Sequence, residues 1–120
     1  MNTNINNLTT EIIKNKVKVS LSSLGLNERY NSFEYLSTII AYLIHINSDS
    51  VESYNKALAI VEEKFHIAKI SINYALKRIT NTCKDPSISS KSQYNLSKYG
   101  VLNRIRVLKS YTMDNLINST

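Results

Sequence analysis

Apolar residues recur every three or four positions along most of this chain, which is the spacing of one face of an α-helix. The first stripe predicts a helix over about residues 8–24, with Gly25 placed to end it in the left-handed conformation. The second predicts a helix over about residues 32–46, with Ser32 as N-cap and a broad apolar face typical of a central helix. We expect residues 1–7, which precede the first stripe, to form a flexible N-terminus.

Two further helices are predicted on either side of a very short turn. Asp49 followed by Glu52 resembles a capping box, which predicts a third helix from there to about Phe65. The turn is expected at residues 66–68, and the fourth helix over about residues 69–81. The inward face of the fourth helix is predicted to consist of Ile72, Ala75, Leu76 and Ile79. Residues 54–81 therefore have the spacing of a helix-turn-helix.

After the fourth helix the sequence predicts a loop and a last helix. Residues 83–94 are rich in Ser and Lys and hold the only proline, so we expect mostly loop there, with room for one short helix. The last helix is predicted from Lys98 or Tyr99 to about Thr112, followed by a tail over residues 113–120. Its inward positions are Val101, Ile105 and Leu108, and Arg104, Arg106 and Lys109 are expected on or beside its solvent face.

Composition narrows the fold class. The 120 residues hold only two glycines and one proline, whereas sheet-rich domains need many tight turns built from these residues. An all-α fold is therefore expected, with about six helices in one compact domain over residues 8–112.

The same sequence argues against membrane and secreted proteins. The longest apolar run, residues 39–46, is interrupted by His45 and falls far short of the roughly 20 residues of a membrane span. The polar N-terminus lacks the basic and apolar regions of a secretory signal. The single cysteine, Cys83, excludes an internal disulfide and suits a reducing cytosol. We expect a cytoplasmic protein that does not bind membranes.

Motifs for catalysis and metal binding are missing from the sequence. Two glycines cannot build a phosphate-cradling loop, and neither a metalloprotease nor a nucleophile-elbow motif occurs. His45, His66 and Cys83 are the only soft metal ligands, and their separations match no zinc pattern. We therefore expect no enzymatic activity, no cofactor and no metal.

The net charge of +6 is unevenly distributed along the chain. From Lys64 to Lys109 there are ten Lys/Arg and one acid, Asp85, whereas the first 63 residues hold five Lys/Arg and seven Asp/Glu. A helix-turn-helix spacing at the start of a strongly basic half is typical of a protein that binds duplex DNA. The candidates for phosphate contact are Lys64, Lys69, Lys84, Lys91, Lys98 and Arg104.

Helical geometry then predicts the outward face of the fourth helix. Opposite its apolar stripe lie Ile70, Tyr74, Lys77, Arg78 and Asn81, with Ser71 and Asn73 on the flanks. In a major groove, Arg and Lys recognise guanine, Asn recognises adenine, and apolar groups contact the thymine methyl. Ile70 is placed for such a methyl contact, and the base-contact candidates are Ser71, Asn73, Tyr74, Lys77 and Arg78.

Three segments of the chain share a pattern with a known family. Residues 24–40, LGLNERYNSFEYLSTII, place Gly25, Tyr35, Leu36 and Ile40 at the positions of an apolar-Gly-apolar, spacer, aromatic-x-Tyr-Leu pattern. The spacing continues into VEEKFHIAKISINYALKRI, residues 61–79, and PSISSKSQY, residues 86–94, is similar to a Ser-rich connector. Together they resemble the C-terminal DNA-binding effector domain of the master response regulator that initiates sporulation in Bacillus and Clostridium.

This resemblance implies a six-helix domain that binds duplex DNA, often as tandem copies on repeated sites, and controls transcription. The recognition helix departs from the family at Ser71, Asn73 and Tyr74, where charged residues are usual, so the family's target site is not carried over. The turn also has Ile67-Ala68-Lys69 in place of the usual Ser/Thr cap. A stand-alone effector without the family's receiver domain is expected, because the first helix begins almost at Met1.

The sequence thus favours a cytoplasmic, sequence-specific regulator of transcription that binds double-stranded DNA, with a homodimer or tandem copies on DNA as its expected arrangement. Two alternatives stay open. The chain also fits a plasmid, transfer-origin or phage DNA-binding accessory factor. It also fits an anti-regulator that kept the fold, lost DNA binding and contacts a protein. The uncharged residues Ser71, Asn73 and Tyr74 favour this second alternative.

Overall fold

The computed structural model describes residues 2–84 and 98–118, with side chains described for residues 10–84 and 100–116. Within these ranges the chain forms five α-helices and no strand, which confirms the all-helical prediction; about six helices were expected. The helices are α1 (Asn2–Ser23), α2 (Asn31–His45), α3 (Val51–Phe65), α4 (Lys69–Asn81) and α5 (Lys98–Asn118). The loop predicted over residues 83–94 lies outside the described residues from position 85 onward.

The centre of the fold is α2, against which α1, α3, α4 and α5 all pack. Nine of its residues are buried, and Leu36, Ile39, Ile40 and Leu43 have no exposed surface. Full burial of an aliphatic side chain contributes roughly 1.5–3 kcal/mol, so this row of side chains is a main source of stability. The broad apolar face of α2 predicts a central position for this helix, and the structure confirms it. Both α3 and α4 pack against α2.

Three helices end at a residue with positive φ. These residues are Gly25 after α1 (φ 90°), Asn47 after α2 (φ 54°) and His66 after α3 (φ 54°). At Gly25 the N–H of Leu26 donates to the carbonyl of Leu21 at 3.2 Å, the bond that closes a Schellman motif. The predicted role of Gly25 is confirmed. Glycine takes this conformation without steric cost and histidine does not, so the end of α3 is strained.

The starts of α2 and α3 differ from the predicted ones. Tyr30 occupies the N-cap position of α2 and makes no side-chain cap, so Ser32 lies inside the first turn. The cap of α3 is Ser50, whose Oγ accepts a hydrogen bond from the Ser53 N–H at 3.1 Å. The capping box predicted to start at Asp49 is therefore wrong. Asp and Ser cap helices about equally well, so adjacent Asp and Ser residues leave the choice to the surrounding structure.

Both terminal helices extend past their predicted limits. α1 begins at Asn2, before the predicted start near residue 8, and α5 continues to Asn118, beyond the predicted end near residue 112. The added residues of α1 are mainly polar, with Ile5 as their one apolar member, whereas Met113, Leu116 and Ile117 continue the helical spacing at the end of α5. No helix in the described part of the chain combines the length and the apolar character that a membrane crossing requires.

Candidate nucleic-acid interface

The turn between α3 and α4 consists of His66, Ile67 and Ala68, as predicted. His66 adopts the left-handed conformation, and the N–H groups of His66 and Ile67 both donate to the carbonyl of Glu62. Ala68 is extended, and its carbonyl accepts the first bond of α4 from the Ile72 N–H at 3.0 Å. Three residues thus join two helices that both pack on α2.

One side of α4 is buried and the other is exposed, as its periodicity predicts. The buried side consists of Ile72, Ala75, Leu76, Ile79 and Thr80. On the opposite side Ile70 is 63% exposed and Tyr74 is 56% exposed. Ser71 and Arg78 are exposed on the same side. We call these four residues, Ile70, Ser71, Tyr74 and Arg78, the outer face of α4.

Of the five base-contact candidates, three lie on the outer face: Ser71, Tyr74 and Arg78. Lys77 is half-buried, and its ammonium lies 5.4 Å from the centre of the Tyr74 ring, within the range of a cation–π interaction. Lys77 therefore lies at the edge of the outer face, where its ammonium contacts the ring of Tyr74.

Asn73, the fifth candidate, is half-buried and bonded to α3. The hydroxyl of Tyr54 donates to Asn73 Oδ1 at 3.3 Å. Tyr54 has no exposed surface, and burial raises the pKa of its hydroxyl, which keeps it a neutral donor. An asparagine that recognises adenine uses both its amide oxygen and its amide nitrogen. The hydrogen bond from Tyr54 makes Asn73 a link between the two helices, and its role as a base contact stays a prediction.

The phosphate-contact candidates divide into exposed, buried and undescribed residues. Lys64 and Lys69 are exposed on either side of the turn. Lys84 is exposed beyond the end of α4, and its stem covers Gly25 so closely that a Cβ there would lie 2.7 Å from Lys84 Cγ. Lys91 and the side chain of Lys98 lie outside the described residues.

Arg104 is buried, which corrects its predicted place on the solvent face. It is 4% exposed, and its Nη1 donates to Thr80 Oγ1 at 2.6 Å and to the carbonyl of Lys77 at 3.2 Å. Burial lowers the pKa of the guanidinium. Both acceptors belong to the last turns of α4, where helix carbonyls attract a cation. Arg104 therefore joins α5 to α4 and does not reach a phosphate; Lys109 is also buried, at 8% exposed.

A groove of about 550 Å³ lies between the first turn of α2 and the outer face of α4. Tyr30 and Ser32 line one side of it, and Ser71 and Arg78 line the other. Sequence reasoning missed this groove, because its two sides are far apart in the chain and no local pattern connects them.

A charged cluster between α1 and α2 was also missed. Glu34 lies 2.6 Å from Lys18 Nζ and 3.4 Å from Lys14 Nζ. Burial alone would raise the pKa of the Glu34 carboxyl, but the hydrogen bond from Lys18 and the charges of both lysines lower it overall. Burial lowers the pKa of Lys14, Glu34 opposes this, and the nearby charge of Lys64 adds to the lowering. Lys14 of the acidic N-terminal segment thus lies close to Lys64, the first residue of the basic half.

No family model, curated protein or solved structure matches this chain. Within residues 2–84 and 98–118, no three side chains of His, Cys, Asp or Glu come together as a metal ion would need. Function is therefore inferred from the geometry of α4 and from the charges around it.

Proposed function

We propose that this chain is a sequence-specific double-stranded DNA-binding protein that regulates transcription, with α4 as its major-groove recognition helix. The outer face of α4 is the observation that carries this proposal. Its residues are exposed while the opposite side of the helix is buried in the core. A helix held in this way presents one face to a major groove about 12 Å wide.

Two contacts support α4 in a fixed position. The Tyr54–Asn73 hydrogen bond joins its first half to α3, and Arg104 joins its last turns to α5. Base recognition depends on side chains held within about 0.5 Å of the productive geometry. Support at both ends of the helix therefore favours specific recognition over loose electrostatic binding.

Phosphate contacts are proposed for the exposed cations around this helix. Lys64 and Lys69 lie at the turn, and Lys84 lies beyond the end of α4. Arg78 lines the groove opposite Tyr30, which suits a DNA backbone that follows the groove. Such contacts fix the position of the protein on the duplex, and the first turns of α4 recognise the base sequence.

The resemblance of residues 24–79 to the sporulation-type effector domain supports the same proposal and its setting in the cytoplasm, with a homodimer or tandem copies on DNA. A plasmid, transfer-origin or phage accessory factor would use the same surface, because the physical act of binding is the same. The identity of neighbouring genes distinguishes these roles.

A protein-interaction anti-regulator is the second candidate function. The observation in its favour is the apolar character of the outer face, where Ile70 and Tyr74 are both more than half exposed. Aromatic residues are enriched in protein–protein interfaces, so this surface also suits a protein partner.

Selection of bound duplexes from a random-sequence DNA pool by the full chain distinguishes the two functions. A regulator of transcription enriches a sequence motif, and an anti-regulator enriches none. Tyr74→Glu, which places a negative charge on the outer face, should abolish enrichment. Val19→Glu makes a matched change at a 71%-exposed position of α1 and should leave enrichment intact.

A further inference from the structure

The first two turns of α4 present an unusual surface for a recognition helix. Ile70 and Tyr74 lie one turn apart on the outer face, and both are more than half exposed. Ser71 between them offers only a hydroxyl, and the amide oxygen of Asn73 is engaged by Tyr54. A single exposed apolar side chain is ordinary. Here two of them occupy the positions where polar groups commonly recognise bases.

Thymine is the base that this surface fits. In the major groove thymine displays a C5 methyl group, which the other three bases lack. Ile70 provides aliphatic carbon for such a contact, and Tyr74 provides the face and edge of an aromatic ring. The ammonium of Lys77, 5.4 Å from the ring centre, helps to hold that ring in place.

The spacing of the two residues also matches DNA. Four residues along an α-helix span about 6 Å, and two base-pair steps span about 6.8 Å. We infer, building on the proposed DNA-binding function, that Ile70 and Tyr74 each contact one thymine methyl. The target site therefore contains two thymines about two base-pair steps apart, and these contacts determine sequence preference.

Replacement of dT by dU tests this inference, because it removes the methyl group and leaves the base edge unchanged. The probe is the tightest-binding duplex selected by the full chain from a random pool, with each dT replaced by dU in turn. In the part of the site bound by each copy, two positions should show weaker binding, each about fourfold, which corresponds to the roughly 0.8 kcal/mol of one buried methyl group. Other positions should show no change.

Variants then assign each methyl to its side chain. Ile70→Ala should abolish the effect of dU at one position and retain it at the other, and Tyr74→Ser should do the converse. Tyr74→Phe keeps the ring and should keep both effects. Both residues are exposed, so all three variants should melt like the original chain in circular dichroism.

The outcomes separate this inference from the function on which it rests. A duplex that binds tightly yet tolerates dU at every position overturns the thymine contacts and leaves DNA binding intact. Effects of dU that persist unchanged in both Ile70→Ala and Tyr74→Ser also overturn the assignment. Failure to select any duplex overturns both the inference and the proposed function.

Discussion

Arg104 places a positive charge inside the contact between α4 and α5, where Thr80 and the carbonyl of Lys77 accept its hydrogen bonds. A buried charge is tolerated when such partners satisfy it. We expect Arg104→Met to lower the free energy of unfolding by about 1.5–3 kcal/mol, the usual range for hydrogen bonds to a charged group. Urea denaturation measures this loss. The salt dependence of DNA binding should stay unchanged, because Arg104 does not face solvent.

Lys69→Met is the matched control for this variant. Lys69 is exposed, so its replacement should change stability by less than about 0.5 kcal/mol while weakening DNA binding. An Arg104→Met variant of normal stability with a flatter salt dependence would contradict the structural role of Arg104.

Glu34 links stability to pH. Its pKa in the folded chain lies below the ordinary value of 4.5, so the ionised carboxylate stabilises the fold at neutral pH. This contribution is complete above the ordinary pKa and is lost as pH falls through the lowered folded value. We therefore expect Glu34→Gln to be less stable than the original chain at neutral pH, with the difference disappearing in acid. Urea denaturation at a series of pH values measures it.

The control for Glu34 is Glu52→Gln. Glu52 forms an exposed pair with Lys56 at 3.9 Å, and such surface pairs contribute little to stability. Removing this carboxylate should change stability only slightly at any pH. A pH-dependent loss as large as that of Glu34→Gln would show that the cluster around Glu34 has no special role.

Helical spacing predicts the inward side of a helix well for apolar residues, and Arg104 is a residue whose charge led to the wrong prediction. Arg104 stands with Val101, Ile105 and Leu108 at the spacing of an inward face, and only its charge suggested solvent. What allows its burial is a pair of acceptors on α4, among them Thr80. Contacts between distant parts of the chain leave no periodic pattern, so neither this bond nor that between Tyr54 and Asn73 was predicted.

At the scale of elements, substitutions of His66 test whether the positive φ at the end of α3 destabilises the fold. His66 is exposed and has positive φ, so its side chain adds little packing while its Cβ crowds the backbone. We expect His66→Gly to keep or raise the free energy of unfolding, by up to about 1 kcal/mol. His66→Val should lower it by about 1–2 kcal/mol, since a branched Cβ is worse still in this conformation. Equal stability of the two variants in urea would contradict the strained turn.

The accuracy of the predicted element boundaries follows the strength of the local signal. The bounds of α4 were predicted correctly, because an apolar stripe and a short turn define both ends of the helix-turn-helix. The start of α3 was wrong by one residue because Asp49 and Ser50 are both good caps, and Ser50 forms the bond. The first residues of α1 are mainly polar and give little pattern, whereas Met113, Leu116 and Ile117 continue the helical spacing beyond residue 112, where the end of α5 was predicted too early.

At the scale of the whole molecule, folding changes which charges face solvent. The basic half of the sequence loses Arg104 and Lys109 to the interior. The exposed or half-exposed cations that remain around α4 in the described part of the chain are Lys64, Lys69, Lys77, Arg78 and Lys84. The charge distribution along the sequence predicts duplex DNA as the partner, which stays a prediction, and the fold reduces the set of described cations able to contact it.

The salt dependence of duplex binding tests the central claim most directly. The four phosphate contacts proposed for Lys64, Lys69, Arg78 and Lys84 predict that, for each bound copy, a plot of log affinity against log salt concentration has a slope of about −3.6. Lys69→Gln should reduce that slope by about 0.9, and Lys16→Gln, an exposed lysine on α1, should leave it unchanged. A slope near zero, or an equal change in both variants, would contradict a DNA-binding surface centred on α4.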